Sequence, residues 1–229
     1  MNANLKRIIL DITDLNKSPI ENIYYFPDED NIMNGYALII GPENTPYRYG
    51  NYLFNFKFTE QYPYCPPKVD YLSNDGLTRF NPNLYRNGKV CLSILNTWQG
   101  EKWSACQTIR SVLITLQTIL NSDPLLNEPG IKRPKYDNEI NLYNDIINYK
   151  NIDFTIVDYL LDFDKIPVKN DEIKDIIIKK FIENKDKILN YILENKTVKK
   201  NVNLTNIYDL KCSINYDSLL KKYNKLKLN

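Results

Sequence analysis

The sequence predicts an α+β fold: one helix, an antiparallel meander of three or four strands, a second helix and a helical tail. Three observations carry it. Apolar residues recur at helical spacing in Leu5–Leu15 and again from Gln107 to Leu120. Between them, Tyr36–Phe58 holds runs of alternating or continuous apolar residues separated by Gly, Pro and Asn. Beyond Gly130, helical patterns dominate.

Each element follows in order. Leu5, Ile8, Ile9, Ile12 and Leu15 form one apolar face of a first helix, with Lys6 and Arg7 on or near its exposed side and Pro19 just past its end. Tyr24–Pro27 reads as a short strand, and Tyr36–Ile40 as a strand that turns at Gly41-Pro42. Thr45–Gly50 is a second turn. In Tyr52–Phe58, Tyr52, Phe54, Phe56 and Phe58 point one way, Leu53 and Asn55 the other. Tyr62–Val69 is a stiff, proline-rich loop entering another strand. From Asp75 to Gly100 periodicity is lost in a stretch rich in Asn, Gly and Pro, and irregular segments of such length are often functional.

Ser104 is the expected N-cap of the second helix, whose face is Ile109, Val112, Leu113, Leu116, Ile119 and Leu120. Asp123–Gly130 is a polar loop. The tail shows helical patterns at Ile140–Ile147, Phe154–Leu161, Ile173–Leu193 and Tyr216–Leu226, with Ile173, Ile176, Ile177, Phe181, Ile188 and Ile192 as one buried stripe. Asn195–Val202 reads as a mobile loop, and there is no internal repeat.

Composition bounds the function. The 229 residues suit one large domain or a domain with an extension, at roughly 100–200 residues per domain. The net charge of +2 favours neither nucleic acid nor a membrane surface as partner. No run of 18 apolar residues occurs, and residues 1–17 lack a signal-peptide core. Abundant Asn, Lys, Ile and Tyr with little Gly resemble the product of an A/T-rich genome, as in parasites or large DNA viruses. There is no histidine, which removes the Ser-His-Asp triad, the Cys-His dyad, the H-E-x-x-H zinc site and any imidazole base. The four cysteines, at 65, 91, 106 and 212, show no C-x-x-C spacing, so no metal site is expected and the thiols read as reduced, in a cytoplasmic or nuclear compartment.

Among these thiols Cys91 lies in the irregular segment, between the Asn87-Gly88 turn and an apolar run. A lone cysteine is commonly a small buried hydrophobe. Asn83, eight residues upstream and next to Pro82, could donate to an oxyanion or stabilise a turn, and the two roles are compatible.

Six motifs follow one another along the chain: Gly41-Pro42, Thr45-Pro46-Tyr47 with Gly50, Tyr62-Pro63-x-x-Pro66-Pro67-Lys68-Val69, Asn81-Pro82-Asn83, Gly88-Lys89-Val90-Cys91-Leu92 and Trp103-Ser104. Taken together they resemble the ubiquitin-conjugating enzyme family. Several spaced motifs in register are far less prone to chance than any one of them. Asn127-Glu128-Pro129-Gly130, a lengthened Trp98–Glu101 region and the tail are similar to the large Z-type subgroup, itself related to the conjugating domain of giant apoptosis-inhibitor proteins. The family motif is normally His-Pro-Asn, and this chain has Asn81 at the first position, so an amide must brace the loop.

The resemblance implies a ubiquitin-conjugating core at 1–150, with an N-terminal helix, four-stranded antiparallel meander, active-site loop and central helix. A C-terminal helical extension at 151–229 would pack on it. It implies that Cys91 carries ubiquitin as a thioester, that Asn83 supports the oxyanion or the loop, and that Tyr85 desolvates an incoming lysine. Glu128, or its neighbour Asn127, would orient that lysine and help deprotonate it, while Asn81 and Pro82 shape the active-site loop. Arg7, Tyr64, Ala105 and Cys106 would meet ubiquitin ligases, and the ubiquitin-activating enzyme would overlap the first-helix part. Protein substrates follow, and no cofactor is implied. The rival readings are a non-catalytic ubiquitin-binding module, which would lack the cysteine, a conjugating enzyme for another ubiquitin-like modifier, and a thiol-redox protein, which would want a second cysteine close by.

Overall fold

Helix α1 (Ala3–Lys17) turns Asn4, Ile8, Asp11 and Leu15 inward, at spacings of four, three and four that place them on one stripe. In the computed structural model, which describes residues 3–226, this stripe is rotated from the expected apolar face. Ile9 is exposed and Leu5 and Ile12 are half-buried. A buried carboxylate explains the rotation. Asp11 accepts from Arg7 Nε at 2.8 Å, from the Tyr62 hydroxyl and from the Ile109 N–H at 3.2 Å. These bonds tie α1 to the proline-rich loop and to the second helix, and they satisfy a charge that burial would otherwise penalise.

Strands β1 (Ile23–Pro27), β2 (Asn34–Ile40), β3 (Asn51–Lys57) and β4 (Lys68–Tyr71) form one antiparallel sheet in that order. The expected meander is present. Leu38 pairs with Tyr24 on one side and Leu53 on the other, and Phe54 lies opposite Ala37 and Tyr71. Neighbouring residues Leu53 and Phe54 are both fully buried, so β3 is covered on both faces. Gly50 lets the strand approach the extension, since a Cβ there would sit 1.8 Å from Asn151 Oδ1.

The second helix, α2 (Ile109–Thr118), buries Ile109, Val112, Leu113 and Leu116. Its N-cap is Thr108, not Ser104. The Thr108 hydroxyl accepts from Ser111 N and the Ser111 hydroxyl from Thr108 N, both at 3.2 Å, a reciprocal capping box. Ser104 instead starts the preceding turn, where its carbonyl accepts from Gln107 N.

Helix α3 (Asp137–Lys150) runs without a break through a π-helical stretch, Asn151–Asp158, into the short α4 (Tyr159–Leu161). Within that stretch Asn151 is fully buried. Its Oδ1 accepts from the Tyr52 hydroxyl at 2.6 Å, and its Nδ2 donates to the Arg48 carbonyl at 2.9 Å. The long α5 (Asp171–Glu194) buries Ile173, Ile177, Phe181, Ile188 and Ile192 of the expected stripe, leaves Ile176 half-buried at its edge, and sets Tyr191 under the Arg48 guanidinium. Residues 199–215, part of which was expected to be a mobile loop, form a hairpin of β5 (Lys199–Leu204) and β6 (Leu210–Asn215). Val202, Leu204, Leu210, Cys212 and Ile214 alternate inward along it. Asn215 then caps α6 (Tyr216–Tyr223) by accepting from Ser218 N.

Candidate active site

The irregular segment is held by side chains and by scattered backbone bonds, with isolated bridges in place of a continuous ladder. At its start, Asp75 accepts from Thr78 N and Thr78 Oγ1 and pairs with Lys150 at 3.2 Å. Burial pushes the Asp75 carboxyl upward, but the Thr78 hydrogen bonds and the Lys150 charge outweigh it and hold it below the ordinary range.

Asn81 is the centre of the brace. It is fully buried. Its Nδ2 donates to the Tyr47 hydroxyl and the Ile119 carbonyl, each at 2.8 Å, and its Oδ1 accepts from Asn83 N at 2.9 Å. The Tyr47 hydroxyl in turn donates to the Phe80 carbonyl at 2.7 Å. An amide has donor and acceptor at once, so it links strand loop, helix end and active-site loop without a histidine. Asn127 joins the same brace. Its Nδ2 donates to the Ile119 carbonyl at 3.2 Å and its Oδ1 accepts from Asn121 at 3.0 Å.

Cys91 is 3% exposed. Its N–H donates to the Asn83 carbonyl at 2.9 Å, and Asn83 Nδ2 donates back to the Cys91 carbonyl at 2.8 Å. One N–H of the Asn83 amide is thereby used and one is left. Asn83 Oδ1 is buried and takes no hydrogen bond from the described residues. Gly88, at φ +87°, makes the turn that brings the chain back to Cys91, with its N–H on the Tyr85 carbonyl. After Cys91, Thr97 Oγ1 accepts from Leu92 N and donates to the Val90 carbonyl, which fixes the start of the lengthened loop.

Around Cys91 a small cleft is lined by Asn83, Tyr85, Trp98, Asn127 and Glu128, with Pro82 and Pro129 at its edges. The residues expected to meet there therefore do so. Asn127 and Glu128 part company within it: Asn127 spends its amide on the brace, while Glu128 presents a carboxylate that accepts from the Tyr208 hydroxyl. Burial first, and then the Glu128 carboxylate, keep the Tyr208 hydroxyl protonated far above its ordinary range.

Besides Trp98 in the lining, three residues around the cleft lie outside the sequence expectation. Arg79 donates to the Pro82 carbonyl at 2.6 Å and the Asn81 carbonyl at 3.2 Å, and its guanidinium lies 3.4 Å from the Tyr85 ring centroid. Tyr208 stands 4.8 Å from the same guanidinium. Arg86 donates to the Tyr208 carbonyl at 2.7 Å. A single arginine carries no periodic signal, and Tyr208 is distant in sequence.

The expected partner residues also converge. Arg7 donates to the Ala105 carbonyl at 2.9 Å and the Gln107 carbonyl at 2.6 Å, so it is half-buried and not a free surface charge. Burial works against its charge, but the Asp11 contact outweighs this and raises the Arg7 pKa. Trp103 donates its indole N–H to the Pro63 carbonyl at 2.6 Å, beside Tyr64, which is 82% exposed. Ala105 is half-buried and Cys106 exposed on the same side. No helix among the described residues is long and apolar enough to cross a membrane.

Comparison with known proteins bears on this arrangement. The chain is 38% identical over 183 residues to a Xenopus tropicalis protein named ubiquitin-conjugating enzyme E2 Z, a match covering 80% of this chain and 58% of that protein. It is 41% identical over 157 residues to the Homo sapiens protein of the same name, covering 68% and 44%. It is also 42% identical over 129 residues to the human dual E2 ubiquitin-conjugating enzyme/E3 ubiquitin-protein ligase BIRC6, covering 54% of this chain and 3% of that one. The chain thus spans about half the length of the E2 Z relatives it matches. Residues 7–147 match the ubiquitin-conjugating enzyme family as a whole, and with the helix, meander, loop and central helix in their places, the chain belongs to that family.

Proposed function

We propose that the chain is a ubiquitin-conjugating enzyme that carries ubiquitin as a thioester on Cys91 and passes it to an amine, with residues 1–150 as the conjugating core and 151–229 as the extension packed on it. One observation carries this reading: Asn83, Tyr85 and Cys91 from the irregular segment and Glu128 from beyond α2 line one cleft. In the loading step the Cys91 thiolate attacks the carbonyl of ubiquitin's C-terminal thioester on an activating enzyme. The new C–S bond forms and the activating enzyme's thiolate leaves. In the transfer step a lysine amine attacks that carbonyl, the C–S bond breaks, and Cys91 departs as the thiolate.

The thioester is already activated, so the site has only to hold the amine, remove its proton and steady the oxyanion. Asn83 keeps the loop closed with one amide N–H and has its second for the oxyanion. Tyr85, held flat under Arg79, supplies an apolar face that strips water from the amine and eases its deprotonation. Glu128 orients the amine and accepts the proton. The surface of Arg7, Tyr64, Ala105 and Cys106 receives ligases, with the activating enzyme overlapping its α1 part.

The test is a gel run without reductant after mixing the chain with ubiquitin, an activating enzyme and ATP. An adduct removed by thiol reductant is expected. Cys91→Ser should give a reductant-resistant ester and Cys91→Ala no adduct. If no ubiquitin-like modifier charges the chain with any of several activating enzymes, the catalytic reading is wrong. If another modifier charges it and ubiquitin does not, the modifier is wrong and the chemistry stands.

A further inference from the structure

The cleft beside Cys91 is not built by the conjugating core alone. Its acidic member, Glu128, is held by a residue eighty positions away at the tip of the β5–β6 hairpin. Tyr208 donates its hydroxyl to Glu128 Oε2. The tyrosine is itself fixed on three sides. Its carbonyl accepts from Arg86 Nη2 at 2.7 Å, its ring faces the Arg79 guanidinium, and the Tyr143 ring packs at 6.2 Å. Its backbone sits at φ 62°, in the left-handed region that an aromatic residue seldom occupies, and Asp209 follows at φ 44°. Such a conformation persists where surrounding contacts determine it.

A carboxylate that must meet an amine has two oxygens. Here one is committed to Tyr208, and the other, Oε1, takes no hydrogen bond from the described residues. A glutamate on a loop has several rotamers, and each one that points elsewhere lowers the fraction competent to accept a proton. Anchoring one oxygen removes that freedom and leaves the second for the substrate.

We propose that Tyr208 is a positioning residue for amine transfer: through one hydroxyl it fixes the Glu128 carboxylate beside Cys91, so that the C-terminal hairpin completes the acceptor side of the cleft. This rests on the thioester reading of Cys91 and adds to it the assignment of a role to the extension.

The experiment is single-turnover discharge of the ubiquitin-charged full chain to two small amines, free lysine and hydroxylamine, at neutral pH. Hydroxylamine is already neutral there and needs no carboxylate to ready it. Tyr208→Phe keeps the ring contacts with Arg79 and Tyr143 and removes only the hydroxyl. The lysine-to-hydroxylamine rate ratio should fall about fivefold, the rate equivalent of one hydrogen bond. Glu128→Gln should lower the same ratio, and Tyr208→Phe added to Glu128→Gln should lower it no further, because the two act through one contact. A general loosening of the hairpin would slow both amines alike and leave the ratio unchanged, and that result overturns the proposal. So does a double variant whose losses multiply. If the wild-type chain does not charge at all, the thioester reading falls and this one with it; if it charges and only the Tyr208→Phe ratio is unmoved, the role of Tyr208 alone falls.

Discussion

Asn83 and Cys91 hold each other by the main chain and the side chain at once. The Cys91 N–H donates to the Asn83 carbonyl at 2.9 Å, and the Asn83 amide donates to the Cys91 carbonyl at 2.8 Å. The pair closes a ring around the turn at Gly88, so the main chain at Cys91 is held to Asn83 by two bonds at once.

That ring makes Asn83→Ala informative. Loss of the amide removes one loop bond and the donor left for the oxyanion. Discharge to lysine should slow about 10- to 100-fold, while loading of Cys91 slows much less. Equal small effects on both steps would show that Asn83 is a loop residue only.

Asn81→Ala should cost about 2–3 kcal/mol of stability, because it leaves the Asn83 N–H without its acceptor and opens a void beneath Tyr47. Urea denaturation with an unchanged slope would measure it. A loss below about 0.5 kcal/mol, the level of an ordinary surface substitution, would mean that Asn127 and the backbone hold the loop unaided.

Asp11→Ala should destabilise by about 3 kcal/mol, since it strands the Tyr62 hydroxyl and the Ile109 N–H and leaves Arg7 half-buried without its counter-charge. Thermal melting of the variant beside Arg7→Ala is the check. The arginine variant should be the milder, because the Arg7 side chain is 20% exposed and that of Asp11 only 3%.

Asp75 gives an acid-side signature. Its folded pKa is depressed, so its contribution is present above its unfolded pKa, about 3.9, and is lost as pH falls through the lower folded value. Lys150, its partner, has a raised pKa: burial opposes its charge, but Asp75 outweighs this. The lysine's share is complete below its unfolded pKa and disappears as pH rises through the folded value. Asp75→Asn should therefore flatten the stability curve at acid pH. Parallel curves for variant and wild type below pH about 4 would contradict the assignment.

Cys212 should resist alkylation at neutral pH, because burial first of all pushes its thiol up to about 11 and leaves almost no thiolate. Timed labelling read by mass spectrometry should find the exposed Cys106 modified well before Cys212, with Cys212 catching up only in strong base. Early labelling of Cys212 in the native chain would show that the hairpin opens readily.

The elements that sequence pattern places well are those with strong periodicity or spaced motifs. The four strands, the face of α2 and most of the α5 stripe carry one or the other. What escaped has a physical reason in each case. The α1 face was misread because Asp11, a charge, takes an inward position that only its distant partners make tolerable. The hairpin escaped because Lys and Asn, poor strand formers, fill its outward positions, and its turn has no glycine. Arg79, Arg86 and Tyr208 escaped because both arginines meet Tyr208 across 122 or more residues of chain, and no local pattern encodes such a contact.

A ribosome makes this chain from one end, and the hairpin contact gives that direction a meaning. Cys91, Asn83 and Glu128 are all added to the chain before Tyr208, which follows Glu128 by eighty residues. The nascent cleft therefore has its sulfur and its amide before it has the group that steadies its carboxylate. A product halted before the hairpin would hold Cys91 and the Glu128 carboxylate without the hydroxyl from which that carboxylate accepts.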